Sequence, residues 1–154
     1  MRTIMTQAEF EEIRDDFTKE IAGDICWQDD EDHSPSVEFR AEVSSSKGYP
    51  LFVNGSYSSK ARKLSFAVIH AKKRRIFGFC IGSDHHNPRC DMAGDPHKHS
   101  WDETTGTKFA EPLDPNLPPV DQVAAIWLLF CNEFNLTHSG TMQPVPLAQE
   151  DLWI

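Results

Sequence analysis

The sequence predicts an α+β fold, one domain over residues 1–154, and three observations predict it. An amphipathic stretch near the N-terminus has helical spacing, a central block alternates with period two, and an apolar stretch near the C-terminus returns to helical spacing. The connections within the central block are too short for parallel crossovers. The expected architecture is therefore an N-terminal helix, an antiparallel meander of about five strands, an irregular histidine-rich connection and a C-terminal helix packed on the sheet.

The first element is "TQAEFEEIRDDFTKEIAG", residues 6–23. Thr6 and Glu9 have the spacing of a capping box, and Met5 and Phe10 that of a hydrophobic staple. Phe10, Ile13, Phe17 and Ile21 make the apolar stripe, and Gly23 is the expected stop. "DICWQ" is a short strand candidate. In "SVEFRAEV", Val37, Phe39, Ala41 and Val43 alternate with Glu38, Arg40 and Glu42, the pattern of a half-buried strand. "YPLFVNGSY" follows, and "KLSFAVIHA" and "RIFGFCIG" flank "KKRR" as a hairpin with a basic turn. Prolines at 88, 96, 115, 118 and 119 make the next stretch mostly loop, with "HKHSW" as one further short strand. In "VDQVAAIWLLFCNEFN", Val123, Ile126, Trp127, Phe130, Cys131 and Phe134 fall on one face of a helix. The tail "MQPVPLAQEDLWI" is expected to be extended, with Leu152, Trp153 and Ile154 docked.

With 154 residues, 39% of them hydrophobic, the chain can bury a core without staples. No apolar run is long enough to span a bilayer, and the N-terminus lacks the apolar block of a signal peptide, so a cytoplasmic protein with no membrane partner is expected. The four cysteines show no C-x-x-C pair; Cys26, Cys80 and Cys131 read as small buried apolar residues. The net charge of −9 is unevenly spread: residues 1–46 carry 13 acids and 4 bases, 47–75 carry 8 bases and no acid, and 76–154 carry 11 acids and 3 bases. An acidic chain is a poor general binder of nucleic acid, yet a basic block inside it can hold phosphate locally.

The chemistry is concentrated in "GSDHHNPRCDMAGDPHKHSW", which holds four of the seven histidines and Cys90. On an extended strand His97 and His99 point to the same face and can reach one ion. His86 and Cys90 have the separation of a paired ligand, so His86, Cys90, His97 and His99 form a candidate zinc set. Asp84, Asp91 and Asp95 are available as oxygen ligands or as acceptors that orient an imidazole. A metal-free pocket is the second reading, in which His86, His97 and His99 serve as acid and base in phosphodiester cleavage. Lys72, Lys73, Arg74 and Arg75, with Asn87, would then hold the substrate. A plain polar loop is the third. His70 reads as a core-edge histidine, while His33 and His138 carry no assigned role. The chain has no G-x-S-x-G, P-loop, G-x-G-x-x-G or H-E-x-x-H.

From Arg75 to about Leu136, "RRIFGFCIGSDHHNP", "HKHSW", "KFAEPL" and "AAIWLLFCNEFNL" resemble a group of small phage and mobile-element proteins of bacteria. The recurring pattern there is a strand with an Arg and a Gly or Asp, then H-x-N-P, then H-x-H with an aromatic. A looser similarity extends to toxin-like proteins of toxin–antitoxin loci. Where the toxin-like pattern has an Asp after its Arg, this chain has Gly78 or Cys80. The resemblance implies a setting in phage or mobile-element conflict and singles out His85 or His86, Asn87, His97 and His99.

Two functions follow as expectations. The first is a small protein acting on nucleic acid, RNA before others, by ribonuclease-like cleavage at a histidine site, either zinc-bound or metal-free. The second is a non-catalytic acidic inhibitor of the anti-CRISPR kind, whose "EEIRDD" and "DDEDH" surfaces bind a basic face of a host defence complex.

Overall fold

The computed structural model describes residues 4–31, 36–82, 96–108, 110–114 and 116–146. Helix α1 spans Gln7–Asp15 behind a complete capping box: Thr6 Oγ1 accepts from Glu9 N at 3.1 Å, and Glu9 Oε1 accepts from Thr6 N at 3.3 Å. Met5 and Phe10 are both buried, as a staple requires. The helix stops earlier than its apolar stripe predicts. Asp16 Oδ1 accepts from both Thr18 N and Thr18 Oγ1, turning the chain away. The Lys19 ammonium meanwhile takes the terminal carbonyls of Ile13, Arg14 and Asp16 at 2.6, 2.9 and 2.8 Å. Phe17, expected on the buried stripe, is 78% exposed.

Next come β1 (Glu20–Ile21), β2 (Gln28–Asp29), β3 (Val37–Val43), β4 (Leu51–Ser58), β5 (Lys63–His70), β6 (Arg74–Ile81), β7 (His97–Ser100) and β8 (Ala110–Pro112). Helix α2 (Val123–Glu133) and β9 (Thr137–His138) follow. Strands β2 to β8 form one seven-stranded sheet in sequential order, every neighbour antiparallel. The meander is thus as expected and longer than about five strands, because β2 and β8 are too short to show a period. A separate parallel pair, β1 with β9, ties the two ends of the chain together.

Helix α2 covers one face of the sheet. Its predicted stripe is buried throughout: Val123, Ile126, Trp127, Phe130 and Cys131, with Phe134 at its end. Trp127 and Phe130 meet Phe39, Phe66, Phe77 and Phe79 at ring-centroid distances of 5.2–5.6 Å. Each ring so buried stabilises by about 1.5–3 kcal/mol. Phe39 lies directly over Gly55, where a Cβ would stand 2.0 Å from its ring, so only glycine lets the aromatic layer close there. On the opposite face, Glu38, Arg40 and Glu42 are not buried.

One irregularity sets up the site. Val68 pairs with Phe77 and Ile69 with Arg75, so Ile76 is an extra residue in β6, a β-bulge. Beyond the bulge, Phe77 and Phe79 face α2, whereas Gly78 and Cys80 face the other way, opposite Ala67 and Ser65. Before it, Arg75 opposes Ile69 and so shares the face of Gly78 and Cys80.

Candidate metal centre

Strand β7 presents H-K-H by simple alternation. Lys98 faces α2 and pairs with Glu133, so His97 and His99 point to the other face. Both histidines have no exposed surface, and their rings stand edge to face with centroids 5.0 Å apart. In the β6–β7 register His97 lies opposite Cys80, and His99 lies opposite Gly78. The ligand atoms of Cys80, His97 and His99 all fall within 4.8 Å of one another, a group that can hold a metal ion.

The turn after β7 orients the second imidazole. Thr107 O lies 2.7 Å from His99 Nδ1, and a carbonyl can only accept, so Nδ1 carries the proton and the neutral ring keeps its lone pair on Nε2. A backbone carbonyl holding the far nitrogen is the usual partner of a metal-ligating histidine. That turn is anchored to the start of α1. Trp101 Nε1 donates to Met5 O, and Gln7 and Glu103 each accept, through a side-chain oxygen, the other's backbone N–H.

Of the residues singled out in the sequence, His97 and His99 come together as the alternation required. His86, Asn87 and Cys90, with His85, Asp84, Asp91 and Asp95, lie outside the described residues, as do Leu152, Trp153 and Ile154. Among the described residues, the third possible donor beside His97 and His99 is Cys80. It is half-buried and faces His97, where the sequence made it a small buried apolar residue. Its signal was present: within "RIFGFCIG" it falls on the Gly78 face, away from Phe77 and Phe79. Cys26 is also corrected, since it is exposed. Cys131 is buried as expected, and burial pushes its thiol up to about 12, which removes it from thiolate chemistry.

The four bases of the β5–β6 turn diverge. Lys72 is exposed, and the Lys73 ammonium turns to Glu9 at 3.8 Å. Arg74 is exposed, with φ +85°, the left-handed residue that closes a tight hairpin. Arg75 folds to the histidine side, donating from Nε to Thr107 Oγ1 at 3.3 Å and from Nη2 to Thr107 O at 3.4 Å. Lys60, Arg62 and Lys63 sit at the other end of β5, about 25 Å away at strand rise.

The remaining described histidines are structural. His70 is 8% exposed and its Nδ1 accepts from Lys72 N at 3.2 Å, the core-edge placement expected of it. His138, unassigned from sequence, accepts from Trp127 Nε1 at Nδ1 and donates from Nε2 to Gly23 O, bracing α2 against the β1 end.

Fold and site together define an α+β protein with a sequential antiparallel sheet and, on the face turned away from its C-terminal helix, a half-buried cysteine beside two buried histidines that could hold a metal ion. The chain belongs to the family of unknown function DUF6978, whose model matches residues 5–136. That span takes in α1 and the early strands as well as the segment from Arg75 onward. No curated protein and no solved structure matches the chain. Among the described residues, no helix is long and apolar enough to cross a membrane.

Proposed function

We propose that Cys80, His97 and His99 bind zinc and that the resulting centre acts on nucleic acid, RNA first, by ribonuclease-like phosphodiester cleavage. The observation that carries the metal reading is the convergence of one sulfur and two nitrogen donors from adjacent strands to within 4.8 Å. Zinc prefers such donors in a tetrahedron with bonds of about 2.0–2.3 Å, which sets donor atoms about 3.3–3.8 Å apart. To hold the ion, the observed group would draw in by about 1 Å. A zinc ion with three protein ligands and one open position activates water and polarises a phosphoryl oxygen. His97 and His99 are both fully buried, which fits ligands better than a pair of solvent-facing acid and base groups. The resemblance of the segment from Arg75 to Leu136 to phage and mobile-element proteins supports a role in host–phage or toxin–antitoxin conflict.

The acidic-inhibitor reading has less support. Three acids of α1 are matched within the molecule, Glu9 by Lys73, Glu12 by Lys47 and Asp15 by Arg14, which blunts the surface a basic partner would meet.

The test is plasma mass spectrometry on tag-free protein beside Cys80→Ser and His97→Ala/His99→Ala, with cleavage of labelled single-stranded RNA followed in parallel. About one zinc per chain, lost in both variants together with cleavage, is the expected result. Folded wild-type protein that carries no zinc would overturn the centre. Zinc without cleavage would leave the centre and overturn its action on RNA.

A further inference from the structure

We infer that Arg75 is the anion-binding residue next to this centre, placed to hold a phosphate on the Thr107 side of His99; the inference rests on the metal reading above. Parity along β6 would put Arg75 with Phe77 and Phe79, against α2. The bulge at Ile76 reverses it, so that Arg75 shares a face with Gly78 and Cys80. The arginine stem runs alongside Gly78: a Cβ built there would stand 3.6 Å from Arg75 Cδ, in ordinary contact, and a tighter 3.1 Å from Phe66 O.

The guanidinium ends at Thr107 O, the same oxygen that fixes His99 Nδ1. Arginine and metal-ligand imidazole therefore share one acceptor. Arg75 is half-buried, and among the described residues it makes no ion pair and bonds to Thr107 alone. A half-buried guanidinium that meets only neutral oxygens keeps its charge available to an anion. Its Nη1 protons and one on Nη2 remain to be used, in a planar fork that suits two phosphate oxygens. Lys72, Lys73 and Arg74 offer no such convergence, so the substrate contact narrows from a four-residue strip to one side chain.

The probe is inorganic phosphate added to the cobalt(II)-substituted protein, with the visible absorption of the metal as readout. In wild type the spectrum should change saturably with phosphate. Arg75→Gln should weaken phosphate binding by about tenfold or more, and Arg75→Lys by less, since a hydrogen-bonded charge contact is lost in one and kept as a point charge in the other. Cobalt stoichiometry and the phosphate-free spectrum should stay as in wild type, which a merely structural role for Arg75 would not predict. Equal phosphate affinity in wild type and Arg75→Gln overturns the inference while leaving the metal centre intact, as does a wild-type spectrum indifferent to phosphate. Should Arg75→Gln not fold, Arg75→Lys decides by the same titration. Protein that takes up no cobalt brings down the metal reading, and this inference with it.

Discussion

Single residues here show how the same side chain takes unlike tasks according to what surrounds it. His97 and His99 are donors of a cluster, His138 is a strut between an indole and a carbonyl, and His70 is a buried acceptor at a hairpin end. Burial first, then the charges of Lys73 and Lys72, hold the His70 imidazole below its ordinary value, with Glu9 opposing. An unfolded histidine titrates near about 6.5, so on acidification the unfolded chain takes up this proton first. The stability His70 allows is therefore complete above about pH 6.5 and is lost as pH falls toward its lower folded value. His70→Asn keeps an acceptor for Lys72 N and removes the titration. The drop in urea midpoint between pH 7.5 and 5.5 should be smaller in the variant; an unchanged drop would remove His70 from the account. At this scale the sequence was legible where period two sufficed, as for His97 and His99. It was not legible for Cys80 or Arg75. Cys80 meets His97 only through the register of two strands separated by a long connection, and the direction of Arg75 is set by a bulge that no alternation announces.

At the level of elements, beginnings were easier to read than ends. The capping box of α1 is a local device encoded in four residues, and it forms as written. Thr6→Ala should cost about 1 kcal/mol, because Glu9 N loses its acceptor while the rest of the helix is untouched. Chemical unfolding at constant slope would show it as a lowered midpoint, and an unshifted midpoint would mean the N-terminal turn is held by Trp101 and Glu103 instead. The end of α1 depends on Lys19 reaching back to its last carbonyls, an arrangement that costs the lysine much of its basicity. Burial draws its pKa down to about 8. An apolar stripe cannot reveal such a stop, and Phe17 was accordingly misplaced. Strands β3 to β6 carried enough alternation to be found. Strands β1, β2, β8 and β9, of two or three residues each, did not.

Across the whole molecule, the proposed centre joins β6 to β7 and, through Thr107, to the turn that seats the start of α1. A ligand that binds only the folded state stabilises it by mass action, so metal should raise the unfolding temperature of the entire domain rather than of one hairpin. A chelator should lower the wild-type Tm by several degrees, about 2–4 °C for each kcal/mol removed, and leave His97→Ala/His99→Ala where it was. Equal response in both proteins would mean that the chelated ion was bound elsewhere.

The pairing of β1 with β9 bears on how the chain is made. Each strand of the large sheet finds its partner in the strand just before it, so the meander can assemble hairpin by hairpin as it leaves the ribosome. The stretch from Lys19 to Ile25 cannot. Glu20 finds Ser44 early, but the backbone partners of Lys19, Ile21 and Ile25 are Thr137, Ser139, Thr141 and Gln143, which emerge more than a hundred residues later. Until residues 137–143 are made, Ile21 and Ile25 lack the backbone partners they have in the fold, so an early segment waits on one translated long after it.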